Sequence, residues 1–140
     1  MPKLDDIAAH LSAVPLFSQL SAKERRRVAQ ALGVHQVADG VMLVRQGEAG
    51  DTFYVLFDGR AKVVRNGRKI ANLEAGDWFG ELALLDTAPR NADVVTIGLA
   101  TVGVLDAASF RELVTELPAM TAKLLTGLAQ RVREGDRRTD

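Results

Sequence analysis

The spacing of apolar residues changes twice along the chain and first predicts two N-terminal helices. In residues 3–14 apolar side chains recur at intervals of three and four, as on one face of an amphipathic helix, and Pro15 ends the pattern. Ser21 and Glu24 have the spacing of a capping box, in which each side chain bonds the other residue's backbone N–H. A second helix is therefore expected from Ser21 to about Leu32, with Gly33 as its stop.

From Val34 to Asp106 the apolar residues follow a period of two, which predicts short β-strands. Asn66-Gly67 lies between two apolar runs and is a strong predictor of a tight hairpin, because both positions of such a turn favour positive φ. Many short strands at this spacing are typical of an antiparallel sandwich, barrel or roll. The predicted strands are 41–45, 52–58, 60–65, 69–73, 93–97 and 100–105.

The helical spacing returns at Ala107 and predicts two C-terminal helices, the second starting at Pro118, which is tolerated in a first turn. The second helix carries an apolar stripe that either belongs to the core or forms a dimer seam. Arg131 and Arg133 are interpreted as part of a polar helix end, and Gly135 with the charged tail 136–140 is expected to end the helix. The stripe consists of Leu117, Met120, Leu124, Leu128 and Val132.

Composition then narrows the classes of function. The 140 residues are 47% hydrophobic and 26% charged, as in one globular domain, and 18 basic residues balance 18 acidic ones. Zero net charge disfavours direct binding to nucleic acid or a membrane surface.

The absence of cysteine excludes disulfides and thiolate catalysis, and two histidines, His10 and His35, leave little for a metal site. Neither a membrane span nor a signal peptide is evident, so a cytoplasmic location is expected. The 13 arginines against 5 lysines suggest a bacterial source.

One segment, residues 77–94, interrupts the alternation and contains the residues best suited to bind a ligand. Gly80 lets backbone approach closely, and a short helical run begins at Glu81. Arg90 carries a planar fork that matches a phosphate, whereas a Glu81 carboxylate accepts from a sugar hydroxyl. These residues alone leave two interpretations open: a nucleotide pocket, or a short amphipathic turn with a surface arginine.

Two longer motifs carry a resemblance to a known family. The order Phe-Gly-Glu-Leu-Ala-Leu-Leu at 79–85, then Pro-Arg-x-Ala-x-Val at 89–94, closely resembles the phosphate-binding cassette of the cyclic nucleotide-binding domain family. Gly-x-x-Gly-Asp-x-x-Tyr at 47–54, with Gly59 and Val63, resembles that family's upstream hairpin. Val14 to Phe17 and Leu20 resemble the turn before its β-roll. The resemblance covers about residues 14–134.

The resemblance implies an α+β fold: an antiparallel, jelly-roll-like β-roll of about eight short strands with flanking helices. The implied single domain spans 1–140, with N-terminal helices at 1–33, the roll at 34–106 including the cassette at 79–94, two C-terminal helices at 107–135, and the tail at 136–140. The family's usually structural positions are Gly47, Gly50, Asp51 and Gly59. The implied ligand-binding residues are Gly80, Glu81, Leu82, Ala83, Arg90, Asn91 and Ala92.

Each ligand-binding residue has an implied role. Glu81 would accept from the ribose 2′-hydroxyl, and Arg90 would pair with the cyclic phosphate. Backbone N–H groups of Leu82 and Ala83, with Asn91 or Ala92, would complete the phosphate cradle, and Gly80 would allow close approach. Asn91 stands where family members often carry Ala, Ser or Thr, so it leaves the choice between adenine and guanine open.

The function implied is that of a non-catalytic sensor whose ligand is cAMP, favoured on family frequency over cGMP, and which repositions its C-terminal helices. No cofactor or metal is expected. The alternative is the ligand-sensing half of a catabolite activator-like transcription factor whose DNA-binding domain lies outside this chain. A cupin-like enzyme is disfavoured because its site needs clustered metal ligands, usually several histidines. Expected partners are the cyclic nucleotide and a second copy through the C-terminal helix.

Overall fold

The structure is a computed structural model that describes residues 4–86 and 88–133. The predicted order of helices, β-roll and helices is confirmed. The helices are α1 (Leu4–Leu11), α2 (Ala22–Ala31), α3 (Glu81–Asp86), α4 (Ala107–Glu116) and α5 (Pro118–Arg133). The strands are β1 (Gly33–Val37), β2 (Met42–Val44), β3 (Thr52–Arg65), β4 (Arg68–Leu73), β5 (Trp78–Phe79) and β6 (Asp93–Asp106).

All six strands form one antiparallel sheet in the order β1-β6-β3-β4, with β2 also paired to β6 and β5 to β3. Two pairs of the predicted strands are continuous, in β3 and in β6, and β1 and β5 were not among the predicted strand ranges. The described residues therefore contain six strands, where the resemblance implies about eight. The long strands β3 and β6 bend at the glycines that were expected to separate shorter ones. Gly59 has φ +91°, and an added Cβ would lie 2.6 Å from the Leu99 carbonyl oxygen; Gly98 has φ +74°. The glycines therefore bend the pair without ending its pairing.

The turn chemistry of the sequence is largely confirmed. The Ser21 hydroxyl accepts from the Glu24 N–H at 3.1 Å, and the Glu24 carboxylate accepts from the Ser21 N–H at 2.9 Å. Asn66 and Gly67 have φ of 53° and 77°, as the tight hairpin turn requires. The predicted helix over 3–14 is too long, because α1 ends at Leu11 and the next three residues form a tighter turn with bonds three residues back.

The core consists of two clusters on opposite sides of the central strands. One packs the helices against the sheet and includes Phe17 and the stacked rings of Phe53 and Phe110, whose centroids are 4.7 Å apart. The other fills the inside of the roll, with Leu56 and Leu73 fully or almost fully buried. Helix α5 contributes Met120 and Leu124 to the first of these clusters.

The apolar stripe of α5 is buried in its first part and exposed at its C-terminal end. Met120 and Leu124 are buried and belong to the core, whereas Val132 is 81% exposed. Of the two alternatives for the stripe, the core interpretation therefore holds for its first turns, and a dimer seam stays a prediction for the exposed last turn. Gly135 and the tail 136–140 lie outside the described residues. No helix in the described ranges is long and apolar enough to cross a membrane.

Candidate functional site

The two motifs that are distant in the sequence are hydrogen-bonded to each other. The Gly47 N–H donates to the Arg90 carbonyl at 2.7 Å, and the Arg90 N–H donates to the Glu48 carbonyl at 2.8 Å. Ala49 and Pro89 form an isolated antiparallel bridge beside these bonds. The upstream hairpin therefore fixes the backbone of the cassette immediately before and at Arg90.

The Arg90 side chain is almost fully buried, at 4% exposure, and its fork is held by backbone carbonyls. Nη1 donates to the Gly80 oxygen at 3.0 Å and Nη2 to the Thr52 oxygen at 2.6 Å. These two bonds use two of the five guanidinium N–H donors. The guanidinium is therefore oriented by β3 and the start of the cassette, and it retains donors for an anion.

Two glycines make room for this guanidinium. Gly80 has φ +98°, and an added Cβ would lie 2.8 Å from both Arg90 Nη1 and the Thr52 oxygen. A Cβ on Gly50 would lie 2.6 Å from Arg90 Nε and from the Ala83 Cβ. Gly80 was expected to let a ligand approach, and what it accommodates in the structure is Arg90. Gly50, assigned a structural role, contacts the site directly.

Glu81 begins α3 and is completely buried. Its Oε1 accepts from Nη1 of Arg131 at 2.6 Å, and Nη2 of Arg131 also donates to the Trp78 carbonyl at 3.2 Å. The Arg131 side chain is 14% exposed. The interpretation of Arg131 as part of a polar helix end is therefore wrong, because this side chain folds back from α5 onto the cassette.

A second contact fixes α5 to the same place. Gly127 lies one turn before Arg131, and an added Cβ would lie 3.0 Å from Cζ2 of the Trp78 ring. A glycine inside a helix costs about 1 kcal/mol relative to alanine, so its presence here needs a packing reason. The Trp78 ring supplies that reason, and α5 contacts the cassette region at two points one turn apart.

The other predicted residues lie around the same turn. Ala83 is buried and Leu82 is half-buried. The Ala92 side chain is fully buried inside the roll, and Asn91 is exposed, with its carbonyl accepting from Arg65 Nε at 2.9 Å. The structure thus brings Gly80, Glu81, Ala83 and Arg90 together and turns the Ala92 side chain into the core.

A polar cavity of about 200 Å³ opens beside Arg90 and is also lined by Asp51, Thr52 and Tyr54. The Tyr54 ring stacks on Phe79 with centroids 4.9 Å apart, and its hydroxyl donates to the Leu43 carbonyl at 3.1 Å. Burial raises the pKa of Tyr54, and the nearby Arg90 charge partly opposes this. Within the described ranges no three carboxylate, histidine or cysteine side chains are grouped to hold a metal ion.

The comparisons with known proteins agree with this geometry. The family model described as "Cyclic nucleotide-binding domain" matches residues 34–116. The chain belongs to this family. The matched range contains all of the sheet except Gly33, together with the cassette and α4, and therefore both motifs that meet at Arg90.

The relatives include regulatory proteins whose fold this chain shares. It is 41% identical over 98 residues to a cAMP-dependent protein kinase regulatory subunit of Yarrowia lipolytica, covering 66% of this chain and 26% of that protein. Against the regulatory domain of Toxoplasma gondii PKA co-crystallised with cAMP, the TM-score is 0.79 at 34% identity, over 91% of this chain and 50% of the other. The catabolite activator protein of Thermus thermophilus gives 0.79 at 28% identity, over 86% and 59%. The chain spans about a quarter of the length of the kinase regulatory subunit.

Proposed function

We propose that the chain binds a cyclic mononucleotide, with cAMP preferred over cGMP, as a non-catalytic regulatory module. The observation that carries the proposal is the pair of buried side chains, Arg90 and Glu81, held at the two ends of one cassette. Arg90 supplies the planar donor fork that a phosphate needs, and Glu81 supplies an acceptor for a sugar hydroxyl. A cytoplasmic location, expected from the sequence, is part of the same proposal.

The cyclic phosphate is assigned to Arg90 and to backbone N–H groups of Leu82 and Ala83. These two residues lie in the first turn of α3, where N–H groups have no helical partner. Asn91 or Ala92 completes the cradle through its backbone, because the Ala92 side chain faces the core. Gly80 and Gly50 support the site by giving Arg90 its room.

We assign to Arg131 the coupling between the ligand and the C-terminal helices. A carboxylate accepts about four hydrogen bonds, so Glu81 has capacity for both Arg131 and a ribose hydroxyl. Nucleotide binding and the docking of α5 then support each other, and the ligand shifts the population towards the docked helix. Arg131 is a positioning residue in this scheme, because it acts on the ribose through Glu81.

The preference for cAMP is supported by the relatives of this chain. The regulatory subunits that the chain resembles are named for cAMP, and the Toxoplasma domain was crystallised with cAMP. The exposed Asn91 offers both a donor and an acceptor and so does not by itself exclude guanine. The alternative, a sensor half of a catabolite activator-like factor, is supported by the Thermus structure, at a lower identity than the kinase regulatory subunits.

A homodimer through α5 is the proposed partner state. Leu125 is 63% and Val132 81% exposed, and they lie two turns apart on this helix. Exposed apolar residues on one face of a helix are typical of a coiled-coil contact. Light scattering on the wild type and on Leu125→Glu tests this: a dimer that the substitution converts to a monomer supports it, and a monomeric wild type at high concentration rejects it.

Titration calorimetry with cAMP, cGMP and 5′-AMP tests the proposal as a whole. We expect heat and saturation with cAMP, weaker binding of cGMP, and far weaker binding of the non-cyclic 5′-AMP. Because a ligand that binds only the folded state stabilises it by mass action, the melting temperature should rise with cAMP in parallel. If neither cyclic nucleotide binds at millimolar concentration, the chain is not a cyclic nucleotide sensor. Equal affinities would remove only the preference for cAMP.

A further inference from the structure

A second, larger cleft lies away from the cassette, between α1 and the outer side of the sheet. Its volume is about 410 Å³, within the range of about 300–1,000 Å³ that is common for ligand sites. We call it the α1 cleft. It is lined by Asp6, Ile7 and His10 of α1, Val34 of β1, Phe57 and Asp58 of β3, and Thr101 of β6.

The aromatic wall of the α1 cleft is fixed by its neighbours. The Phe57 ring lies over Gly103, where an added Cβ would be 2.6 Å from ring atom Cε2. The His10 ring meets Phe57 edge to face, with centroids 6.5 Å apart and planes at 78°. His10 Nδ1 also lies 3.1 Å from the Asp6 carbonyl oxygen, one turn back on α1. The half-buried Phe57 ring is therefore a preformed surface.

The charge on the rim indicates what this surface binds. Asp6 and Asp58 are both exposed and lie on opposite elements, and among the described lining residues none is lysine or arginine. An arginine side chain matches both the aromatic wall and the carboxylates of this cleft. Its guanidinium stacks on aromatic faces, and its N–H groups pair with carboxylates. The apolar Ile7 and Val34 provide contact for a neighbouring aliphatic side chain.

We propose that the α1 cleft docks an arginine-bearing peptide segment of a partner protein, with the guanidinium over Phe57 and between Asp6 and Asp58. A peptide is the occupant because the cleft volume of about 410 Å³ exceeds that of one side chain and its lining combines carboxylates with apolar residues. The apolar lining next to the carboxylates matches an arginine followed or preceded by an aliphatic residue. The site is separate from the nucleotide site, and none of the lining residues that the structure describes belongs to the cassette.

NMR titration of the ¹⁵N-labelled chain tests the proposal with three probes: acetyl-Arg-Leu-Arg-amide, acetyl-Gln-Leu-Gln-amide and acetyl-arginine amide. We expect the first peptide to shift amide resonances of α1, residues 57–58 and Thr101 below about 10 mM, and the glutamine peptide to shift none of them. Because each exposed carboxylate–guanidinium pair is worth about 0.2–1 kcal/mol, Asp6→Asn with Asp58→Asn should weaken binding by about two- to thirtyfold. The matched control Glu74→Gln removes an exposed carboxylate outside the cleft and should leave the shifts unchanged.

Three results would overturn the inference. The first is no shift in the cleft with the arginine peptide at this concentration, and the second is equal binding by the double variant. The third is equal binding of acetyl-arginine amide and the peptide, which would make the cleft a site for small cations. The double variant must still bind cAMP like the wild type. A failure of the peptide proposal is then distinguishable from a failure of the nucleotide proposal. If the double variant fails to fold, Thr101→Arg gives a second test, since its own guanidinium should occupy the cleft and abolish peptide binding.

Discussion

Nη1 of Arg131 lies 2.6 Å from Oε1 of Glu81, although the two residues are 50 positions apart. Glu81 begins the cassette helix and Arg131 lies in the last turn of α5, so this ion pair joins the proposed nucleotide site to the C-terminal helix. Because the carboxylate is completely buried and the arginine nearly so, the pair is shielded from solvent screening. Any ligand that uses Glu81 therefore acts on a residue already attached to α5.

The first prediction concerns Arg131→Ala. Removal of one partner leaves the Glu81 charge buried, which we expect to lower the free energy of unfolding by about 3 kcal/mol. We also expect weaker cAMP binding, because Glu81 loses the group that orients it. Urea denaturation and calorimetry measure the two effects. Arg133→Ala, an exposed arginine in the same turn, is the matched control and should change neither. Tighter binding by Arg131→Ala would show instead that Arg131 competes with the ribose.

The second prediction uses the contact between Gly127 and Trp78. Gly127→Leu inserts a side chain where even a Cβ lies 3.0 Å from the ring, so we expect overpacking that costs about 1–3 kcal/mol. Trp78 is the single tryptophan of the chain, and its emission should move to longer wavelength as the ring becomes more exposed. Ala122→Leu, on the exposed side of α5, should leave the emission unchanged. An unchanged spectrum in Gly127→Leu would mean that α5 does not dock on Trp78 in solution.

The third prediction separates binding from folding at Arg90. Arg90→Ala should weaken cAMP binding by about thirtyfold to several thousandfold, the usual range for loss of one partner of a buried charge contact. Arg90→Lys should restore binding only in part, because a point charge does not replace the bidentate fork. Arg68→Ala, an exposed arginine at the β3–β4 hairpin, is the control. Affinity within threefold of the wild type in Arg90→Ala would remove this residue from the phosphate site.

The fourth prediction tests the space around the guanidinium. Gly50 does not have a positive φ, so Gly50→Ala adds no backbone strain and changes only the packing. The new Cβ would lie 2.6 Å from Arg90 Nε, which forces the guanidinium to move and should weaken cAMP binding about tenfold or more. Gly33→Ala is the control, since its Cβ would lie 3.2 Å from the exposed His35 ring and only in ordinary contact, at 3.9 Å, with the Val104 carbonyl oxygen. Unaltered affinity in Gly50→Ala would show that the exact position of Arg90 does not matter.

The fifth prediction follows from Asp106, which caps α4. Its carboxylate accepts from the Ser109 N–H at 2.7 Å, and this bond holds the pKa of Asp106 below its usual value of 3.8. A lowered folded pKa means that the cap stabilises the fold above the unfolded pKa and that this stability is lost as the pH falls through the folded value. Asp106→Ala should therefore melt at a lower temperature than the wild type at pH 7. The difference should shrink below about pH 4. A difference independent of pH would rule out the charged cap.

Interactions between near neighbours were determined by the sequence alone. The capping box of Ser21 and Glu24, the hairpin at Asn66-Gly67 and the start of α5 at Pro118 were all predicted, because each depends on residues a few positions apart. The cassette could also be predicted, because its motif is contiguous in the sequence. Its arginine and glutamate are residue types suited to a phosphate and a sugar hydroxyl. The structure places Gly80, Glu81, Ala83 and Arg90 close together, and their roles in ligand binding stay predictions.

What only the tertiary structure decided are the relationships between distant segments. Arg131 resembled any charged residue at a helix end, and nothing in its neighbourhood in the sequence points to Glu81. The sequence around Gly127 also gives no indication of its role, because the glycine is required by packing against the Trp78 ring. The two strands predicted on either side of Gly59 form one continuous strand in the structure. A residue with positive φ can either bend a strand pair or end it, and pairing with the neighbouring strand decides which of the two occurs. Periodicity reports which face of an element is apolar, whereas packing decides what that face meets.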